Sequence, residues 1–261
     1  MADILGERDD AIPDIKTRVA EPSRESQLPK RFYKVVAIAE VEEGFGVVLD
    51  ERPVRTPGKA LLASTSKDVA DMLAGEWDAQ GERIEPMTMP VTRLLNTAID
   101  GVATEMQAVQ EDIIRFAGTD LLCYRADGPD ALVTRQMERW DPVLDWAQTA
   151  LNARFELAAG VMHQPQPEAT IAAFSTHVGM VNDPAVLAAT HVMTTLTGSA
   201  IIAMAALKGE LDLEMAWSIA HLDEDWNIEQ WGEDEEAAAR RAVRFRDMKA
   251  AYEVAQAVSN A

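Results

Sequence analysis

Cysteine is almost absent from this chain: one residue, Cys123, in 261. That excludes an intramolecular disulfide and any multi-cysteine metal site, and it points to a reducing compartment. Histidine is scarce too, with His163, His177, His191 and His221 only. None belongs to an H-E-x-x-H zinc pattern, and no E-x-x-H pair offers a di-iron site. Basic residues are in deficit, 24 against 44 acids, for a formal charge of −20. A nucleic-acid binder needs Lys and Arg to meet phosphates, and an anionic membrane surface makes the same demand. Both classes are excluded, and a basic partner is favoured.

Nucleotide and hydrolase signatures are missing as well. There is no G-x-x-x-x-G-K-[ST] phosphate loop and no G-x-S-x-G elbow. Gly44-x-Gly46 lacks a third glycine and a following helix, so it reads as a hairpin. Cys123 sits in the apolar run Leu121-Leu122-Cys123-Tyr124, where a buried inert thiol is expected. Only Ala185–Leu207 carries no charge over a membrane-length stretch, and its threonines, His191 and Ser199 make it a buried central helix instead. No stable membrane insertion is expected.

Residues 1–30 hold seven acids and few large apolar side chains. They read as a tail, flexible or loosely docked, with neither the apolar core of a secretory signal nor the acid-poor character of a transit peptide. A bacterial cytoplasmic protein is expected. Residues 31–90 read as a small β-rich unit with one helix. Tyr33–Val41 alternates, Glu42-Glu43-Gly44 turns, and Phe45–Asp50 returns. Val69, Met72, Leu73 and Trp77 then fall at helical spacing behind Ser64-Thr65-Ser66, and Gly81 ends that segment as a C-cap residue. Ile84–Pro90 reads as an extended link.

Residues 91–261 read as helical. Thr104-x-x-Gln107 marks a capping box, Asp141-Pro142 an N-cap with an N1 proline, and Gln164–Pro167 a break. Arg154–Met162 is read as a strand or extended bridge. Helical patterns follow over 168–182 and 185–207, with His177 and His191 expected as hydrogen-bonded core residues. The fold class is therefore α+β: a small β-rich N-terminal domain followed by a larger, mainly α-helical C-terminal domain.

The charge is concentrated. From Gly209 to Glu236 there are 11 acids and no Lys or Arg, and Arg240, Arg241, Arg244, Arg246 and Lys249 follow. One reading is a solvated helical face with counter-charges one or two turns on. Another is a docking surface for a basic partner. Trp217, Trp226 and Trp231 lie inside the acidic stretch, with Trp217, Leu222 and Trp226 near one helical face. They either anchor the helix to the body or offer an apolar anchor ringed by carboxylates. A third reading is a divalent-metal-dependent hydrolase built on Asp223, Glu224, Asp225 and Glu229. Consecutive acids fan over about 200° of a helix, and oxygen-ligated ions draw ligands from separate elements, which counts against it.

The sequence resembles the assembly chaperones of the F-type ATP synthase catalytic head, the family that binds the α subunit. The likeness spans about residues 31–250. It runs through Arg31-Phe32-Tyr33-Lys34, Leu49-Asp50-Glu51-Arg52-Pro53-Val54-Arg55-Thr56-Pro57-Gly58-Lys59 and Glu76-Trp77-Asp78-Ala79-Gln80-Gly81. It continues with Met89-Pro90-Val91-Thr92-Arg93-Leu94, Asp100-Gly101-Val102, Asp120–Arg125 and the block Ala220–Gly232. The resemblance implies a two-part fold, no catalysis, no cofactor, and the α subunit as partner, held until the β subunit replaces the chaperone. It also implies that Glu224 is an acid the family depends on. Asp223, Asp225, Trp226, Glu229 and Trp231 are the other expected partner-binding residues. Asn227 stands where relatives tend to have Gln. A monomer is expected.

Overall fold

The computed structural model describes residues 28–159 and 164–261. The tail expected over residues 1–30 lies outside the described residues up to Gln27, as does His163. Its last three residues are tied to the body: the Leu28 carbonyl accepts from Arg83 Nη1 at 2.6 Å, and Pro29 accepts from the Ile84 amide at 2.8 Å.

An antiparallel hairpin opens the fold. β1 (Val36–Val41) pairs with β2 (Gly44–Leu49) in unbroken register, Val36 opposite Leu49 through Val41 opposite Gly44. Gly44 has φ +120°, and a Cβ there would lie 2.4 Å from the Ser64 carbonyl oxygen, so this turn admits glycine alone. The other edge of β2 carries two short strands, β3 (Arg52–Pro53) and β4 (Ala63–Ser64). Helix α1 (Lys67–Asp78) packs against the hairpin through Val69, Ala70 and Leu73. Ser66 sits at its N-cap without a side-chain bond, and the helix ends on Ala79 in right-handed conformation, not at Gly81.

Ile84–Pro90 is not simply an extended link. Pro86–Thr88 makes a 3-10 turn, and α2 (Pro90–Asp100) starts with its proline in the first turn. Glu76 holds that start: its carboxylate accepts from the Val91 and Thr92 amides, each at 2.7 Å. Burial nonetheless pushes the Glu76 carboxyl above its ordinary value. Asp100 ties back to the first segment, accepting from the Thr56 hydroxyl at 2.6 Å and the Gly58 amide at 2.7 Å.

The capping box expected at Thr104 does not form. Thr104 ends a 3-10 turn and donates to the Gly101 carbonyl, and α3 (Met106–Ala117) begins without a side-chain cap. Gln107 turns instead to Glu111 at 2.8 Å. Asp141-Pro142 also departs from expectation. Both lie inside α4 (Asp130–Ala150), which continues through the proline. The buried Gln136, Trp140, Val143 and Ala147 hold both halves to the core, and that packing overrides the break. The expected bridge over 154–162 contributes β6 (Ala158–Ala159), paired in parallel with β5 (Tyr124–Arg125).

Helix α5 (Glu168–Val178) is followed by α6 (Pro184–Thr197) and α7 (Ala200–Leu207). The apolar stretch 185–207 is buried as expected but is two helices. Gly198 has φ +69°, and Ser199 caps α7 through the Ile202 amide at 3.0 Å. No helix among the described residues is long and apolar enough to cross a membrane. The expected core histidines are each partly exposed. His191 Nε2 meets Asp112 at 2.6 Å, and buried Nδ1 of His177 has no partner. Cys123 is buried, and desolvation drives its thiol well above the usual range. Helices α8 (Leu213–Ala220), α9 (Leu222–Trp231) and α10 (Glu235–Ser259) close the fold, with α10 packed along α6. One contiguous apolar core runs from Tyr33 to Ala255.

Candidate functional site

The acidic stretch folds into α8, α9 and the start of α10. Asp212 opens α8 by accepting from the Met215 amide at 2.8 Å, and Leu213, Ala216, Trp217 and Ile219 are buried. Trp217, Leu222 and Trp226 do not share one helical face, because the helix breaks at His221 (φ −107°, ψ 19°). The His221 ring stacks on Trp217 with centroids 3.7 Å apart, and its Nδ1 lies 2.9 Å from the Trp217 carbonyl, which requires the proton on Nδ1. Burial lowers this imidazole below its ordinary value, so it stays neutral.

Only Leu222 is buried on α9, and polar bridges to two other helices hold the remainder. Asp223 accepts from Gln136 Nε2 on α4 at 2.8 Å, and the same Gln136 accepts from the Ala126 amide. Glu229 takes both arms of Arg135, also on α4, at 2.8 Å each. That fork holds the Glu229 carboxyl below the usual carboxylate range. The Arg135 guanidinium also lies 4.8 Å from the Trp226 ring centroid. Asp225 pairs with Arg241 of α10 at 2.5 Å. Glu224 has the loosest tie, 3.9 Å from Arg244, whose other arm donates to the Leu196 carbonyl at 2.8 Å.

The four acids of the metal reading therefore point to four different partners. Among the described residues no group of three His, Cys, Asp or Glu is placed to hold a metal ion. The counter-charges come from across the fold, from α4 and α10, not from the same helical face. The basic stretch after Glu236 signalled Arg241 and Arg244. Nothing local signalled Arg135, which lies 94 residues from Glu229.

The tryptophans separate. Trp217 is buried, Trp226 is half-buried under Arg135, and Trp231 is 86% exposed at the end of α9. Gly232 (φ +89°) then turns the chain, and Asp234 caps α10 through the Ala237 amide at 2.8 Å. Between α9 and the first turns of α10 lies a cleft of about 540 Å³, lined by Glu224, Ile228, Trp231, Ala237, Arg240 and Arg241 among others. Glu233 also lines it, exposed and without a partner among the described residues, and Glu235 is likewise exposed and unpaired at the start of α10. An exposed indole on a cleft with the loosely held Glu224 and the free Glu233 at its side is suited to hold an apolar segment carrying basic residues.

Comparison with known proteins gives consistent results. A family model described as ATP12 chaperone protein matches residues 30–148. Protein atp12, mitochondrial, of Schizosaccharomyces pombe is 26% identical over 221 residues, covering 80% of this chain and 75% of that protein. The crystal structure of Atp12 from Paracoccus denitrificans superposes with a TM-score of 0.81 at 40% identity, covering 88% of this chain and 98% of that one. The crystal structure of the Atu1473 protein from Agrobacterium tumefaciens gives 0.85 at 56% identity, covering 92% of each chain.

Proposed function

This chain belongs to the ATP12 chaperone family, and from that premise we propose that it serves assembly of the F-type ATP synthase catalytic head by holding the free α subunit until the β subunit replaces it. The observation that carries this reading is Trp231, exposed beside the α9–α10 cleft with Glu224 and Glu233 around it. An unassembled subunit exposes apolar interface, and covering it prevents aggregation. The chaperone would seat Trp231 and Ile228 against that surface, and its free carboxylates would meet basic groups at the rim. Charges at a rim speed encounter more than they add affinity, which suits a partner that must later be displaced.

The six expected partner-binding residues divide in this reading. Trp231 and Glu224 face the client. Asp223, Asp225, Trp226 and Glu229 set the angle of α9 through Gln136, Arg241 and Arg135. Relatives are named as chaperones, and catalysis forms no part of the reading. The test is capture of isolated α subunit, read by suppression of its light scattering and by co-purification. Trp231→Ala is expected to weaken capture at least tenfold, and Glu224→Lys to do so with a stronger salt dependence, while circular dichroism stays unchanged. Undiminished capture by both variants would overturn the assignment of the surface, and no capture by the unaltered chain would overturn the client.

A further inference from the structure

Among the described residues the β hairpin has an open edge, and α9 plays no part in it. Strand β1 is flanked on one side by β2, while β3 and β4 both pair with the far edge of β2. The Asp50 amide donates to the Val35 carbonyl at 3.0 Å, which sets the alternation of the ladder. Val35, Ala37, Ala39 and Val41 direct their backbone groups to β2, so Val36, Ile38 and Glu40 direct theirs away from it. Those three N–H and three C=O groups have no hydrogen-bond partner among the described residues.

Exposed strand edges are usually blunted by lysine, proline, a bulge or a covering element. This one is Val-Ala-Ile-Ala-Glu-Val over six residues, with no proline, no lysine and no bulge in the register. Its charge is of one sign. Glu40 at the end of the strand and Glu42 and Glu43 in the turn are all exposed, and none has an ion-pair partner among the described residues. Before the strand, Phe32 is 73% and Val35 62% exposed, with the exposed Lys34 between them as a base close to this edge.

We propose that the β1 edge is a second protein-binding site, which takes an extended, lysine- or arginine-bearing segment of another protein as an added antiparallel strand. Backbone pairing to Val36, Ile38 and Glu40 would supply the affinity, and Glu40, Glu42 and Glu43 would select basic side chains. A second copy of this chain is the poorer occupant, since each carries −20. The site stands whether or not the α subunit is the client.

The test uses the full chain, labelled with ¹⁵N, and a synthetic eight-residue peptide of alternating Val and Lys. The peptide is expected to slow amide exchange at Val36, Ile38 and Glu40 at least tenfold and to leave Ala37, Ala39 and Val41 unchanged. Ile38→Pro removes an outward donor at a position where an edge strand tolerates proline, and it is expected to weaken binding at least tenfold. The same peptide N-methylated at every residue offers no N–H to the ladder and is expected to bind at least tenfold more weakly to the unaltered protein. Glu42→Lys is expected to reduce both affinity and its salt dependence. The proposal is overturned if the peptide fails to bind or if the N-methylated peptide binds equally. It is likewise overturned if the three amides are already protected in the free monomer, or if sedimentation shows a dimer that Ile38→Pro dissociates.

Discussion

At the scale of single residues, Asp120 and Trp231 are opposite cases. Asp120 is fully buried. Its Oδ1 accepts from the Leu122 amide at 3.1 Å and its Oδ2 from the Ile201 amide at 3.0 Å, joining the end of α3 to the start of α7. Burial outweighs those bonds and pushes its carboxyl up to about 6. In the unfolded chain it would titrate near about 3.9. The native state therefore keeps this proton to higher pH than the unfolded state does. The associated stability, roughly 2–3 kcal/mol, is fully present below about pH 4 and is lost as pH rises through about 6. Asp120→Ala is expected to remove that slope between pH 4 and 6 in urea unfolding. It should also cost about 2–4 kcal/mol near neutrality, because two buried amides lose their acceptor. Trp231→Ala should change stability by less than about 0.5 kcal/mol, since the indole is exposed. The sequence placed Trp231 among the candidates but said nothing of how Asp120 is used. An aspartate before an apolar run reads the same whether it meets water or a distant helix start.

At the scale of elements, α9 is held more by charge than by packing. It buries Leu222 alone, and Arg135 reaches it from α4 with a fork to Glu229 and a face over Trp226. Arg135 and Glu229 are each a third or more exposed, so solvent screens the fork and it holds α9 only weakly. Arg135→Ala is expected to raise hydrogen exchange of the α9 amides by up to roughly fivefold, with α6 unaffected. Added salt should do the same to the unaltered protein more weakly. Equal α9 protection in the variant would show that packing carries this helix. Helix α4 shows the limit of local signals. Asp141-Pro142 has the form of a helix start, yet Trp140 is buried and its Nε1 donates to the Ile219 carbonyl at 3.0 Å, anchoring the turn before the proline. The sequence reads 185–207 as one helix, and it is the left-handed Gly198 that divides it in two.

At the scale of the molecule, both segments share one apolar core, and Asp100 and Glu76 tie the helical part to the β-rich part. Urea unfolding is therefore expected to show a single transition by tryptophan fluorescence and by circular dichroism, with coincident midpoints. The charge of −20 acts at long range. The rate of capture of a basic client should fall as ionic strength rises from about 0.01 to 0.15 M, with little change in dissociation. A salt-independent association rate would show that the acidic surface does not steer the encounter.

The sequence by itself determined the fold class, the hairpin, the buried stretch 185–207 and the concentration of acid between Gly209 and Glu236. These follow from periodicity and composition, which are local properties of the chain. Only the tertiary structure decided which of those acids remain free. Asp223, Asp225 and Glu229 are met by Gln136, Arg241 and Arg135, while Glu233 and Glu235 are not. It also decided that Trp217 is core and Trp231 is surface. The reason is physical: a carboxylate's partner and an indole's burial depend on which helix lies alongside. That neighbour can be some ninety residues away in the chain.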